Sequence, residues 1–440
     1  MKKTLAILLL AALLLLAACG SGSDSPTAQG GGTETQAEIP ADCTRIVFDG
    51  DTAAISGGGA RDEGSAVTIS AAGTYEISGT GLKPLVVDTG DDAMDVTVIL
   101  HNADLSCQTG PALEVRQAKH FRLQLAAGSE NRLCSGTEDL LQNPDPNAVG
   151  AALYCADDMD IEGEGSLGVY GYVNNGIGCK KDLDLNSGAV TVVAANNGVK
   201  AKHSVQIKGG SLAVTAWGDG IKTETTDKEG KGYVELSGGA VTVETWGDGI
   251  QAATELRVLE GSLSVTTHGD GAEQSSKALK AQSLVQISGG SLILDTREDG
   301  VRCLTGDVDI SGGTLDILAL ADGVRAGEKD SGLGDIRVSG GSLTVNAGKQ
   351  ALKAQGGFSV TGGSIAALCA SEKQNAPTGG ASLLCAITGP EGDTVQVGEG
   401  LSLNARLSYK TLLVVSKELV SGQSVTVTNR QGSLSAAVQG

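Results

Sequence analysis

One pattern recurs down the middle of this chain and limits what it can fold into: Gly, a small residue, an aliphatic, any residue, an aliphatic, four more residues, Asp or Asn, Gly, an aliphatic. Its first glycine falls at Gly188, Gly210, Gly239, Gly261, Gly290, Gly313 and Gly341, so successive copies start 22, 29, 22, 29, 23 and 28 residues apart. Degenerate copies begin at Gly165 and Gly363. Nine residues after each glycine stands Asn197, Asp219, Asp248, Asp270, Asp299, Asp322 and, where the pattern weakens, Gln350; Asn175 lies ten beyond Gly165. Apolar residues alternate within a copy, as in Val205, Ile207, Leu212 and Val214, and a period of two is the signature of a β-strand. A unit this short cannot bury its apolar face alone, so units must stack. Stacking like strands makes parallel sheets with right-handed crossovers and a rise of about 4.8 Å per turn. The predicted fold is all-β, a right-handed parallel β-helix (solenoid) with coils of about 22 residues, in which every repeat position becomes a column.

Composition agrees with a narrow, repetitive interior. Glycine makes up 65 of 440 residues and aromatics only 2%, whereas Val, Ile, Leu and Ala abound. Segments such as Val67-Thr68-Ile69, Leu85-Val86-Val87 and residues 121–125 read as strands upstream without the strict register. Further strands around Val395, Leu401–Leu403, Leu412–Val415 and Val425–Val427 read as a cap. Capping strands are expected at both ends, because a bare solenoid edge aggregates. The net charge of −20 argues against nucleic acid, whose phosphates need a basic face.

The N-terminus sets the expected compartment. Lys2 and Lys3 precede an apolar run that ends in Leu16-Ala17-Ala18-Cys19, too short for a stable membrane span. This resembles a bacterial lipobox, which implies cleavage before Cys19 and acylation of its thiol. The expected division is a lipoprotein signal peptide over 1–18, a flexible tether over 19–42, the β-helix over 43–379 and a C-terminal β cap over 380–440. The protein is expected outside the cytoplasm, held to the cell membrane by lipid and exposed at the bacterial surface.

Four sets of residues carry candidate chemistry. The acidic column, Asp219, Asp248, Asp270 and Asp299 with Glu224 from an adjoining insert, offers oxygen ligands of the kind Ca²⁺ takes; Asp/Asn-Gly is also a turn dipeptide. Three residues on lies a basic column, Lys200, Lys222, Gln251, Glu273, Arg302, Arg325 and Lys353. Its cations suit uronate carboxylates or simply pair with Asp in a neighbouring coil. Trp217 and Trp246, the chain's two tryptophans, and His268 each lie two before the column Asp. A flat aromatic strip of this kind is a surface on which a sugar ring lies, or a stack that stabilises a coil edge. The long copies carry inserts at 223–231, 274–280 and 327–333, expected to project from one corner; inserts on one face often mark a binding face. Among the cysteines, Cys155 with Cys179 is the first candidate disulfide, ahead of Cys107 with Cys134 and Cys369 with Cys385; buried thiols are the alternative. Zinc-ligand spacing and a G-x-S-x-G nucleophile motif are absent.

Several landmarks together resemble a known family. They are the segments 67–79, 109–115 and 128–131, the core units Gly209-Gly210-Ser211-Leu212 to Asp219-Gly220-Ile221-Lys222 and Gly238 to Asp248-Gly249-Ile250-Gln251, and the closing segment 411–423. The chain is similar over about residues 45–430 to the clostridial cell-surface carbohydrate-binding β-helix family, whose fold resembles that of polysaccharide lyases. The resemblance implies binding of cellulose and acidic sugars such as polygalacturonate, with Ca²⁺ held in the helix. It makes Asp219, Asp248 and Asp270 the foremost metal candidates. The expected function is non-catalytic polysaccharide binding by a monomer. A Ca²⁺-dependent pectate-type lyase, with Lys200, Lys222, Arg302 or Arg325 as base beside the metal, and an adhesive protein without a sugar ligand are the alternatives.

Overall fold

The computed structural model describes residues 39–91, 93–142, 150–269 and 274–440. The signal segment with Cys19, most of the expected tether, Asp270 and Glu273 lie outside the described residues.

The alternation in the sequence becomes three strands per unit. Val205 and Ile207 on Ser204–Ile207, Leu212 and Val214 on Ser211–Ala216, and Ile221 on Ile221–Thr223 are all buried. Each such aliphatic contributes roughly 1.5–3 kcal/mol on burial, but only when the next unit covers it. Each strand therefore pairs with its counterpart: Ser204–Ile207 with Tyr233–Leu236, Ser211–Ala216 with Ala240–Thr245, and Ile221–Thr223 with Ile250–Ala252, all parallel and in register. Repetition builds two large sheets of 24 and 13 strands, and the first two kinds of strand belong to the larger one. The chain is all-β; the five-residue 3₁₀ turn Glu138–Gln142 is the one helical element among the described residues.

Glycines do two different jobs here. Gly210 and Gly239 turn the chain between the first two strands of a unit at φ of 69° and 75°, where a side chain is strained. Gly220, after the column Asp219, has ordinary φ but no space: a Cβ there would sit 2.5 Å from the Gly249 carbonyl oxygen of the next unit.

Parallel pairing gives way to antiparallel strands at both ends. Thr44–Gly50 pairs antiparallel with Thr52–Ser56. Tyr409–Val415 pairs antiparallel with both Phe358–Cys369 and Ser382–Gly389. A separate four-stranded sheet of Thr394–Val397, Leu401–Asn404, Ser424–Asn429 and Gly432–Ala437 follows; its Val395, Leu403 and Val427 share a second apolar core with Leu368, Leu412 and Val414 of the larger sheet.

The register corrects two sequence expectations. The first and third inserts leave one corner, after Ile221–Thr223 and after Val324–Ala326. The second lies before the corresponding strand Leu279–Ala281, not after it, so the three do not share a corner. Consequently Lys277, not Asp270, stands between Asp248 and Asp299: the Gly249 and Ala278 amides donate to the Lys277 and Asp299 carbonyls. Likewise Lys280 pairs with Gln251 and Arg302, in the place expected for Glu273. Counting residues shows that a unit is long, not on which side of its turn the extra residues loop.

Candidate functional site

The aromatic residues are placed by the strands before them. Ala216, Thr245 and Thr267 end three neighbouring strands and point inward, fully or almost fully buried. The next residue of each therefore faces out. The Trp217 amide donates to the Ala194 carbonyl, Trp246 to Ala216 and His268 to Thr245, at 3.1, 3.1 and 2.8 Å. The rings are thus held one strand apart. Trp217 and Trp246 stack with centroids 5.0 Å apart and planes 10° apart; His268 follows at 4.9 Å, tilted 41°. All three are half-buried, and the two indoles turn their broad faces to each other. The His268 Nε2 lies 2.9 Å from Glu244 Oε1, and the Gln274 amide nitrogen donates to the Trp217 carbonyl at 3.3 Å. The displaced second insert thus abuts the strip.

The column that carries the strip holds further residues, though no further ring among the described residues stacks on it. Register places Tyr172 two strands before Trp217, with Ala195 between. Tyr172 was missed because it lies three residues before Asn175, where Trp217 lies two before Asp219. On the far side the same column continues through Arg297 to the exposed Leu320. Burial, with help from Glu138, pushes the Tyr172 phenol up to about 12, so it is a neutral hydroxyl at ordinary pH.

The acidic and basic columns are each other's partners. Asn175 Oδ1 accepts from the Asn197 amide, Asn197 Oδ1 from Asp219, Asp219 Oδ1 from Asp248, and Asp248 Oδ1 from Lys277, at 2.9–3.2 Å. The bond resumes from Asp322 to Asp299 and from Gln350 to Asp322, each at 3.0 Å. The second carboxylate oxygen of most members takes a cation. Lys222 lies 2.8 Å from Asp219, Lys280 2.7 Å from Asp248, and Lys353 and Arg325 3.3 and 3.9 Å from Asp322. Ser275 adds a hydroxyl to Asp248 at 2.6 Å. Asp299 alone among the described carboxylates here has no such ammonium or guanidinium within bonding distance, and burial, aided by Asp322, raises its pKa. Lys200 pairs with Glu224 at 2.8 Å. Arg302 is buried against the Gly327 carbonyl at 2.8 Å; burial and nearby Arg325 lower its pKa.

These contacts decide what the columns suit. Among the described residues the donor set does not fit a Ca²⁺ shell, because Asp219 and Asp248 already give one oxygen to a backbone amide and the other to an ammonium. Glu224 is turned to Lys200. Among the described residues no three His, Cys, Asp or Glu side chains come together as metal ligands. Nor do Lys200, Lys222, Arg302 and Arg325 offer a cluster free to take a uronate or to act as a base.

Cys155 and Cys179 are register partners, both buried, and their Sγ atoms donate to the Asp157 carbonyl at 3.3 and 3.1 Å. Cys107 and Cys134 sit opposite Ser135 and Ser106 instead of each other. The strand Tyr409–Val415 stands between Cys369 and Cys385. All the described cysteines are free thiols.

Comparison with known proteins agrees with this architecture. A family model described as carbohydrate-binding domain-containing protein matches residues 63–323 and 305–439. A protein of that description from Acetivibrio thermocellus is 30% identical over 195 residues, covering 44% of this chain and 65% of the relative. The chain therefore spans slightly less than two thirds of that relative's length. A solved structure described as the polysaccharide lyase-like protein from C. thermocellum, a gadolinium derivative, is 31% identical with a TM-score of 0.50, covering 56% of this chain and 96% of that one. The chain belongs to the family of carbohydrate-binding domain-containing proteins.

Proposed function

We propose that this protein is a non-catalytic polysaccharide binder whose ligand lies along the strip Trp217–Trp246–His268. The observation that carries the reading is the near-parallel stack of the chain's two tryptophans, outward-facing on a parallel sheet in a protein with 2% aromatics. Sugar C–H faces bury on such rings while hydroxyls stay wet. In this reading the two large sheets form the walls of one right-handed parallel β-helix, as the order of strands within each unit supports. The Cys19 thiol carries the lipid that holds the protein, as a monomer, at the outer face of the cell membrane.

Charge selects among polysaccharides. Glu244 beside the strip and the net charge of −20 repel a polyuronate, and the basic column is occupied by its own carboxylates. A neutral glycan such as cellulose is the better ligand, and its binding needs no bridging Ca²⁺. A lyase is the weaker reading, since each candidate base holds a partner. A glycan array probed with the mature protein, with Ca²⁺ and with chelator, tests this. We expect neutral β-glycan signals that chelator leaves unchanged, and no unsaturated product from polygalacturonate. Binding confined to polyuronates and abolished by chelator would overturn it.

A further inference from the structure

The strip leaves unused a large hollow among the described residues. An open cleft of about 1130 Å³ lies between the outer face of the long parallel sheet, at Thr314–Ala319, Ile336–Ala347 and Phe358–Cys369, and the separate four-stranded sheet. From the geometry we infer that this cleft is a second glycan site, taking a neutral oligosaccharide chain. The inference rests on the reading above that the protein binds glycan, and adds a place and a selectivity to it.

Three features carry it. The first is shape. The hollow exceeds the roughly 300–1,000 Å³ of pockets for single small molecules and is open, as an extended ligand requires. The second is chemistry. Thr344 from the floor and Gln396, Ser402 and Thr426 from the wall line it. Their side chains make no hydrogen bond to other described residues, so hydroxyls and an amide that both donate and accept stand ready for a polyol. Half-buried Leu401 and Val425, packed against the apolar core of the same sheet, also border the cleft. The charges disfavour an anion: Arg406 is spent on Asp316, while Glu399 and Glu418 at the lining have no such guanidinium. The third is rigidity. The Arg406 guanidinium pairs with Asp316 on the floor, and the Arg406 amide donates to Asn346 Oδ1 at 2.9 Å. Tyr409 donates to buried Asp393 at 2.8 Å beneath the same sheet. The two walls are thus tied together before any ligand arrives, which reduces the ordering cost of binding.

The cleft is distinct from the strip. Thr344 lies three strands beyond the strand that precedes His268, roughly 14 Å at about 4.8 Å per strand. The two sites can therefore be lost one at a time.

Native mass spectrometry and calorimetry with cellohexaose test the inference on the intact mature protein. The wild type is expected to take two molecules. Trp217→Ala/Trp246→Ala should leave one, bound in the cleft. Gln396→Ala/Thr426→Ala, both exposed positions whose loss the fold tolerates, should leave one on the strip and weaken the cleft by about tenfold or more. A wild type that takes one molecule, lost entirely in the tryptophan variant, overturns the cleft and leaves the strip standing. A cleft variant that still takes two molecules with both midpoints unchanged overturns it as well. A wild type that binds no cellohexaose and no glycan on the array overturns both readings together.

Discussion

The column that crosses the molecule changes character halfway. At Asn175 and Asn197 it is a stack of neutral amides; from Asp219 to Asp322 it is a run of carboxylates, broken once by Lys277 and, except at Asp299, matched by Lys222, Lys280, Arg325 and Lys353. Both stretches make the same bond, an Oδ1 accepting the amide of the next unit. Wherever the column residue is Asn or Asp, the shared feature is therefore an acceptor at that atom, and the charge of Asp219, Asp248 and Asp322 is an addition that brings its own cation. The comparison also shows what the cations do. They neutralise carboxylates that stacking has buried, so the place for a ligand must be found elsewhere on the surface.

The comparison can be broken most severely in its charged half. Asp248 is fully buried, so Lys280→Met leaves a carboxylate without its ammonium and should cost about 3–5 kcal/mol. Adding Asp248→Asn, which keeps the acceptor and removes the charge, should recover most of that loss in urea unfolding; no recovery would mean that Lys280 acts through packing alone. In the neutral half, Asn197→Ala strands the Asp219 amide and should cost about 1–3 kcal/mol. A cost as large as that of Lys280→Met would erase the distinction between the halves.

The smallest effect has the opposite sign. Burial, aided by Asp322, raises the Asp299 pKa. The folded state therefore holds that proton more tightly than the unfolded chain, and stability falls as pH rises from the free carboxylate value through the folded one. Asp299→Asn keeps the acceptor for the Asp322 amide and removes this loss. It should match the wild type in acid and exceed it, by about 1 kcal/mol or less, at neutral pH. Thermal unfolding against pH reads the difference, and a variant less stable at neutral pH would show that Asp299 holds a hidden partner.

How far the sequence could be read follows from what repeats. The aliphatic alternation and the Gly-Gly turns placed the strands, and the nine-residue offset aligned Trp217 with Trp246 and Asp219 with Asp248. The offset misled at Asp270, because Asp270-Gly271 imitates the turn that Lys277-Ala278 makes in the structure. That one slip hid Lys280, moved an insert to the wrong corner and made the basic column look broken at Glu273. Tyr172 was hidden by a single extra residue. The cleft was not legible at all, since Gln396, Ser402 and Thr426 belong to antiparallel strands outside the repeat. Nothing in their spacing says which face of the long sheet they fold over.

The central claim is that glycan lies on the tryptophan strip, and the chain supplies its own reporter. Trp217 and Trp246 are its only tryptophans, so intrinsic tryptophan emission titrated with cellohexaose reads the strip directly. The account predicts a saturable change in emission with the midpoint that calorimetry gives for the strip in the cleft variant. Binding seen by calorimetry in that variant with no change in emission, and undiminished in Trp217→Ala/Trp246→Ala, would contradict it.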